Sequence, residues 1–391
     1  MAKKGGRRYL LCRYGGIGDT LLLTSLAGEI KRREPGSKVD VAVRAETSEL
    51  FEEEDVFDGV LPTKRFPPTN VDAVEVESGW VSTECIKPQY DKVYDLRFSV
   101  ENNVPTVWLP LSETEGPWRR SMSSNYVNWI DMSFGWCNID PQDVAAEHKV
   151  PTYTVLPEEL EWAKERVHKQ DGDVVIGIHL QASSLCRTWY KADELPKRLK
   201  MLLPEAKILF FDPTSLVWQL QGPLGTKTID VKSEGGLRKS AALLTQMDLF
   251  VCADSGYSHI AAALGIPTLT LYSTVPAWTR ELYYEKANFI QSDLSCSPCF
   301  SLDGVCPRQQ KRARERLSDR EKKLLKFEEE KVPPPIAARE MDMPLPAFMQ
   351  EHAAARQRLR SMSTEEPDCM KNISPEMIAE KAKEILDELK A

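Results

Sequence analysis

A two-lobed α/β architecture, with a parallel sheet in each lobe, is what this sequence predicts. Three observations carry the prediction. The second half of the chain alternates short apolar runs with helical patterns, which argues a doubly wound parallel sheet. The opening reads as strand, helix, strand, a βαβ unit with parallel pairing. Two glycine-containing elbows, Gly15-Gly16-Ile17-Gly18-Asp19 and Asp254-Ser255-Gly256-Tyr257-Ser258-His259, recur in the same strand-to-helix setting, one in each half. A chain of 391 residues is long enough for two domains of ordinary size.

Residues 8–13 form an apolar run that reads as a buried strand. Residues 19–33 follow a helical period, with Asp19 at the start and Lys31, Arg32 and Arg33 at the end, as the helix macrodipole favours. Pro35-Gly36 stops that helix. Strands are expected at 39–43 and, on weaker patterns, at 56–61, 92–96 and 106–109; residues 62–90 carry no firm element. A helix over 121–136 ends the first lobe, and Pro141, Pro151 and Pro157 cluster in a linker near 140–158. The second lobe reads as strands 174–180, 206–212, 228–231, 249–253, 268–272 and 288–291, with helices 192–203, 237–247, 255–264 and 277–284.

Residues 308–331 hold ten Lys or Arg and six Asp or Glu, which reads as a solvated helix. Pro333-Pro334-Pro335, Pro344 and Pro346 predict an irregular stretch to about 350, followed by a helical piece at 347–361. The closing helix, 375–389, is amphipathic, with Met377, Ile378, Ala382, Ile385, Leu386 and Leu389 on one apolar face. The expected organisation is a first lobe over 1–150, a second over 158–307, a helical, proline-containing insertion over 308–365, and a closing segment over 366–391.

Composition narrows the function classes. A formal net charge of −8 and a pI near 5.4 argue against nucleic acid as the main partner. Hydrophobic content of 42% supports real cores. No apolar stretch approaches the roughly 18–20 residues a membrane-spanning helix needs. The run Tyr9–Cys12 is too short for a signal-peptide core, so a cytoplasmic N-terminus entering a first strand is expected. Of nine cysteines, Cys12, Cys85, Cys137, Cys186 and Cys252 are scattered singly and read as buried, reduced thiols.

The first elbow is neither a P-loop nor a dinucleotide fingerprint. Gly15, Gly16 and Gly18 let the backbone turn tightly and approach a ligand. Asp19 sits at or just inside the helix start, as a cap or as a catalytic carboxylate. In the second elbow Asp254 or Ser255 caps a helix, or the backbone N–H groups at Ser255 and Gly256 face a diphosphate. His259, one turn in, is a structural group or a site residue. Asp171-Gly172-Asp173 precedes a strand and reads as a polar turn, not as the Asp-x-Asp pair of a metal-dependent sugar transferase.

Taken together, the segments Leu11-Cys12-Arg13-Tyr14-Gly15-Gly16-Ile17-Gly18-Asp19-Thr20-Leu21-Leu22, Tyr90–Leu96 and Cys252–Pro267 resemble glycosyltransferase family 9, the ADP-heptose heptosyltransferases. The resemblance covers about 8–300 and 366–391 and leaves the insertion outside. It implies a GT-B architecture, two Rossmann-like parallel-sheet lobes with an interlobe cleft. It implies inverting transfer of a heptose-like sugar from a nucleotide diphosphate, ADP-heptose in the family, to a hydroxyl on a protein Ser or Thr or on a lipopolysaccharide core. Asp19 would be the general base, since inverting transfer needs one base opposite the leaving group. Gly16, Gly18, Thr20, Arg187, Asp212, Asp254, Ser255, Gly256 and His259 would hold the donor. Arg187 replaces the family's usual Lys and would grip the diphosphate as a bidentate fork; Asp212 would accept from ribose hydroxyls or form an Asp-Pro turn. No catalytic metal is expected. A different nucleotide sugar or an epimerase on the same fold stays open, as does an inactive scaffold that binds a partner through 308–365. Homo-oligomerisation is also open.

Cys296-Ser297-Pro298-Cys299, then Cys306 and much later Cys369, supply four thiols in a pattern suited to tetrahedral zinc or iron. The cluster resembles the four-cysteine iron finger of autotransporter-modifying heptosyltransferases, which implies one structural Fe or Zn ion on Cys296, Cys299, Cys306 and Cys369. Unligated thiols are the plain alternative.

Overall fold

The computed structural model describes residues 6–13, 15–63, 73–76, 79–82, 89–96, 128–211, 226–228, 236–299, 306–330, 332–361 and 366–390. The first sheet contains Arg8–Cys12 (β1), Lys38–Arg44 (β2), Gly59–Thr63 (β3) and, after a short antiparallel pair Ala73–Val76 (β4) and Gly79–Ser82 (β5), Lys92–Asp95 (β6). Its order is β3-β2-β1-β6, all parallel. Helices Ile17–Leu21 (α1), Leu23–Arg33 (α2), Ala45–Ser48 (α3) and Trp129–Trp136 (α4) accompany it. Tyr9 and Leu11 point to one face of β1 and Leu10 and Cys12 to the other, the period of two that a sheet imposes.

After Pro157–Val167 (α5), the second sheet begins. It contains Val175–His179 (β7), Lys207–Phe210 (β8), Thr226–Thr228 (β9), Leu249–Ala253 (β10), Thr268–Tyr272 (β11) and Ala287–Gln291 (β12), in the order β12-β11-β10-β7-β8-β9, again all parallel. β7, β10 and β11 are buried along their whole length, so they read as unbroken apolar runs and not as alternation. Leu195–Leu202 (α6), Gly236–Leu244 (α7), Gly256–Ala263 (α8) and Trp278–Glu281 (α9) are the second lobe's helices. Two parallel sheets of this kind form a GT-B fold with two Rossmann-like lobes.

The insertion departs from expectation. It holds four helices, Pro307–Glu315 (α10), Asp319–Glu329 (α11), Pro334–Glu340 (α12) and Leu345–Ser361 (α13), around a small core of its own that includes Leu324, Phe327, Ala337, Phe348 and Leu359. The proline run expected to be irregular instead starts α12, because proline is well placed in a first helical turn where its missing N–H costs nothing. Asp368–Lys371 (α14) and Pro375–Glu388 (α15) follow. Ile378, Ala382, Ile385 and Leu386 of α15 are buried against the second sheet as expected, but Met377 and Leu389 are half exposed. The helix expected over 19–33 is split by a tightened turn at Leu22, and that over 277–284 shrinks to α9. The strand expected at 56–61 is shifted to β3. The strand at 106–109, the first part of the helix over 121–136, Cys85 and Asp212 lie outside the described residues.

Candidate active site

Both elbows stand where an open parallel sheet reverses its winding. In the first sheet the chain leaves β1 for β2 on one side and reaches β6 on the other; in the second it leaves β7 for β8 and later returns through β10. The crevice beyond the carboxyl ends of such strand pairs is where open α/β sheets bind ligands. The Gly15–Asp19 elbow follows β1, the Asp254–Gly256 elbow follows β10, and Arg187 follows β7.

At the first elbow Gly16 is the N-cap of α1, and Asp19 closes the turn by accepting the Gly16 N–H on Oδ2 (2.8 Å). Its Oδ1 lies 3.1 Å from an Arg13 guanidinium nitrogen, an ion-pair contact without an aligned hydrogen bond. Arg13, 2% exposed, is fixed in turn by donating to the Leu96 carbonyl (2.6 Å). Thr20 is fully buried and spends its hydroxyl on the Ile17 carbonyl (2.9 Å), so it holds the helix and presents nothing to a donor.

At the second elbow Ser255 is the N-cap of α8, but its hydroxyl makes no capping bond and has no hydrogen-bond partner although buried. The Asp254 carboxylate does not cap either. Arg187 donates to the Asp254 carbonyl (3.0 Å) and to Asp254 Oδ2 (3.2 Å), and its other terminal nitrogen donates to Ser183 Oγ (2.9 Å). Burial alone would raise the Asp254 carboxyl; Arg187, Arg280 and His259 outweigh it and hold it below the usual range. Asp254 thus anchors Arg187 through both its carbonyl and its carboxylate.

The two elbows touch. A Cβ on Gly256 would stand 2.5 Å from the Ile17 Cβ, and one on Gly18 would stand 2.9 Å from both Cγ and Nε2 of His259. Only glycine permits that approach. His259 is buried, with Nδ1 3.0 Å from the Tyr284 hydroxyl. Burial pushes its pKa down, against Asp254 and Asp19, which pull it up.

Sequence reasoning missed Arg13, Arg280 and Glu281. Arg280 is 3% exposed, with its guanidinium 2.8 Å from the centroid of the Trp129 ring, and burial pushes its pKa down to about 10. Asn128, next to Trp129, donates to the Trp278 carbonyl (3.1 Å), so α4 straps α9. The only sequence signal for Arg280 and Glu281 was an adjacent pair of charges inside an otherwise mostly apolar stretch, 277–284.

Glu281 is 8% exposed, and burial raises its pKa to about 8. A raised acid contributes stability at low pH that is lost as pH climbs, because the unfolded state releases its proton near the ordinary value while the folded state keeps it to about 8. Glu281→Gln is expected to remove a stability loss on the order of 4 kcal/mol between pH 5 and 8.5, measured by urea unfolding at both values. Identical slopes for wild type and variant would contradict a protonated buried acid.

Cys296, Cys299 and Cys306 are half-buried and Cys369 is buried. Burial, then the Cys299, Cys306 and Cys296 thiols, push Cys369 up to about 11, so the four share one neighbourhood. Cys186, read from sequence as an isolated thiol, lies beside them; burial, then Cys306, Cys299 and Cys369, push it up to about 12. Among the described residues, however, no group of three or more His, Cys, Asp or Glu side chains is arranged to hold a metal ion. The expected four-cysteine finger is thus seen as gathered thiols without a coordination shell. Asp171-Gly172-Asp173 forms a turn as expected, with Asp173 accepting the Gln170 N–H (2.7 Å). Among the described residues no helix is long and apolar enough to cross a membrane.

The family model of glycosyltransferase family 9 (heptosyltransferase) matches residues 217–308, a stretch that contains the second elbow, α8 and three of the clustered cysteines. The fold is shared with the E. coli ADP-heptose LPS heptosyltransferase II, 14% identical over 98% of this chain and 100% of that one, with a TM-score of 0.59. It is shared too with a family 9 glycosyl transferase from Veillonella parvula, 15% identical over 73% of this chain and 85% of that one, with a TM-score of 0.54. The iron-containing dodecameric glycosyltransferase TibC of enterotoxigenic E. coli is 14% identical over 78% and 72% of the two chains, with a TM-score of 0.48. No curated relative matches the chain. The family match and the shared fold support a glycosyltransferase.

Proposed function

We propose that this chain is an inverting glycosyltransferase that moves a heptose-like sugar from a nucleoside diphosphate, ADP-heptose by preference, to a hydroxyl acceptor. The single observation that supports it most is the meeting of the two elbows, Gly18 against His259 and Gly256 against Ile17, which joins the segment that carries Asp19 to the one that carries Asp254 and its partner Arg187. Asp19 takes the proton of the attacking hydroxyl on its carboxylate. Arg187 and the N–H groups at Ser255 and Gly256 receive the charge that develops on the departing diphosphate, and the unpartnered Ser255 hydroxyl adds a donor. Gly16 and Gly18 admit the sugar close to the backbone. His259, neutral and buried, fixes the seam between the lobes. The acceptor is a protein Ser or Thr or a lipopolysaccharide-core sugar. Screening nucleotide sugars for donor hydrolysis and transfer tests the reading: turnover with a nucleotide heptose is expected, and inertness toward the whole panel would defeat it.

We place the protein in the cytoplasm, where its cysteines would stay reduced. The soft donor set of Cys296, Cys299, Cys306 and Cys369 suits one structural Fe or Zn ion, which would close the base of the insertion. Elemental analysis of purified protein should find about one metal per chain, and chelation should lower the melting temperature. Metal-free protein with an unchanged melting temperature would rule the ion out.

A further inference from the structure

Two cysteine-bearing segments are hydrogen-bonded to the loop that carries Arg187. On one side Ser297, between Cys296 and Cys299, donates its hydroxyl to the Ser273 carbonyl (2.7 Å), and Ser273 donates its own to the Cys186 carbonyl (2.7 Å), one residue before Arg187. On the other side, the segment that holds Cys369 receives three bonds from the residues after Arg187. Trp189 Nε1 donates to the Ile373 carbonyl (3.0 Å), Lys191 Nζ to the Lys371 carbonyl (2.9 Å) and the Tyr190 N–H to the Glu366 carboxylate (3.2 Å). The two segments are also tied to each other, through Asn372 to Asp293 (2.6 Å) and Gln309 to the Glu366 carbonyl (3.2 Å). Ser273 and Trp189 are each 1% exposed.

We propose that these segments form a brace that positions the Arg187 guanidinium for the donor's diphosphate and so sets donor affinity without touching the donor. The proposal rests on the reading of Arg187 as the diphosphate-binding group. Arg187 ends a three-residue turn, Leu185–Arg187, with no longer element to stiffen it. An arginine side chain has considerable rotamer entropy to lose. The Asp254 contact fixes the guanidinium only if its backbone is also held, and the Ser297–Ser273–Cys186 chain and the Trp189–Ile373 bond hold it from both sides. Ser297 and Trp189 are positioning residues on this account, and the clustered cysteines fold the segments that present their partners.

The test uses whichever of ADP, GDP, UDP and CDP the wild-type chain binds most tightly by calorimetry. Ser297→Ala is expected to raise the nucleotide Kd and the donor KM roughly tenfold, with kcat within about twofold and an unchanged melting temperature. Ser297→Thr, which keeps the hydroxyl, should restore wild-type values. Trp189→Phe removes the bond from the other segment and should act in the same direction. In an Arg187→Ala background, Ser297→Ala should add nothing further, as two steps of one pathway require. Wild-type affinity in Ser297→Ala and Trp189→Phe, with weakened binding in Arg187→Ala, would overturn the brace and leave the donor site standing. Wild-type affinity in Arg187→Ala, or no binding of any of the four nucleotides to the wild type, would overturn the donor-site reading and the brace with it.

Discussion

Replacing Asp19 with asparagine is expected to lower kcat by about 10²- to 10⁴-fold, the usual worth of a general base, while leaving nucleotide Kd within about twofold. Asparagine keeps an oxygen for the Gly16 N–H that closes the first turn of α1, so the elbow should survive the exchange. What it loses is the negative charge beside Arg13 and, with it, the basicity of the carboxylate. On the proposed reading the nucleotide is held on the other lobe, by Arg187 and the α8 N-terminus, and none of those groups changes. Turnover at saturating donor, paired with calorimetric binding, separates the two effects. A variant that turns over like the wild type would remove Asp19 from the role of base.

Gly18→Ala should damage both stability and turnover. The new methyl would need the space of the His259 ring, whose Cγ and Nε2 would lie 2.9 Å away. The ring has little freedom to retreat, because it is buried and Nδ1 is engaged with the Tyr284 hydroxyl. The strain falls on the seam between α1 and α8, which must widen. Overpacking of this kind costs about 1–3 kcal/mol in stability. A misplacement of about 1 Å between reacting groups costs about 100-fold in rate. Both losses are expected together, in thermal unfolding and in kcat/KM, and Gly256→Ala should repeat them from the opposite side through Ile17. Full activity in Gly18→Ala would mean that the elbows need not meet for transfer.

How much of this was legible in the sequence differs from element to element. The strands β1, β2, β7, β10 and β11 announced themselves as apolar runs near glycine or proline, and the alternation of strand and helix followed from them. Both elbows were visible, because tight strand-to-helix turns demand glycine wherever another backbone or side chain comes close. Helix α12 was hidden by its prolines, which break a helix interior but suit a helix start. The partners of Asp254 were hidden for a different reason. Capping is a local property that sequence suggests, whereas the Arg187 ion pair joins the ends of β7 and β10 and exists only once the sheet has formed. Arg280 belongs to the same class, since its guanidinium lies over the ring of Trp129, far away in the chain. Cys186 read as one more buried thiol, which it is; that it stands beside the other four is a consequence of packing.

The most direct measurement is a crystal structure of the protein with an unreactive nucleotide sugar bound. The diphosphate should lie against Arg187, Ser255 and Gly256, with the anomeric carbon between it and Asp19 and the carboxylate on the face away from the leaving group. A donor bound elsewhere, or a sugar held with Asp19 and the diphosphate on the same face, would contradict the account.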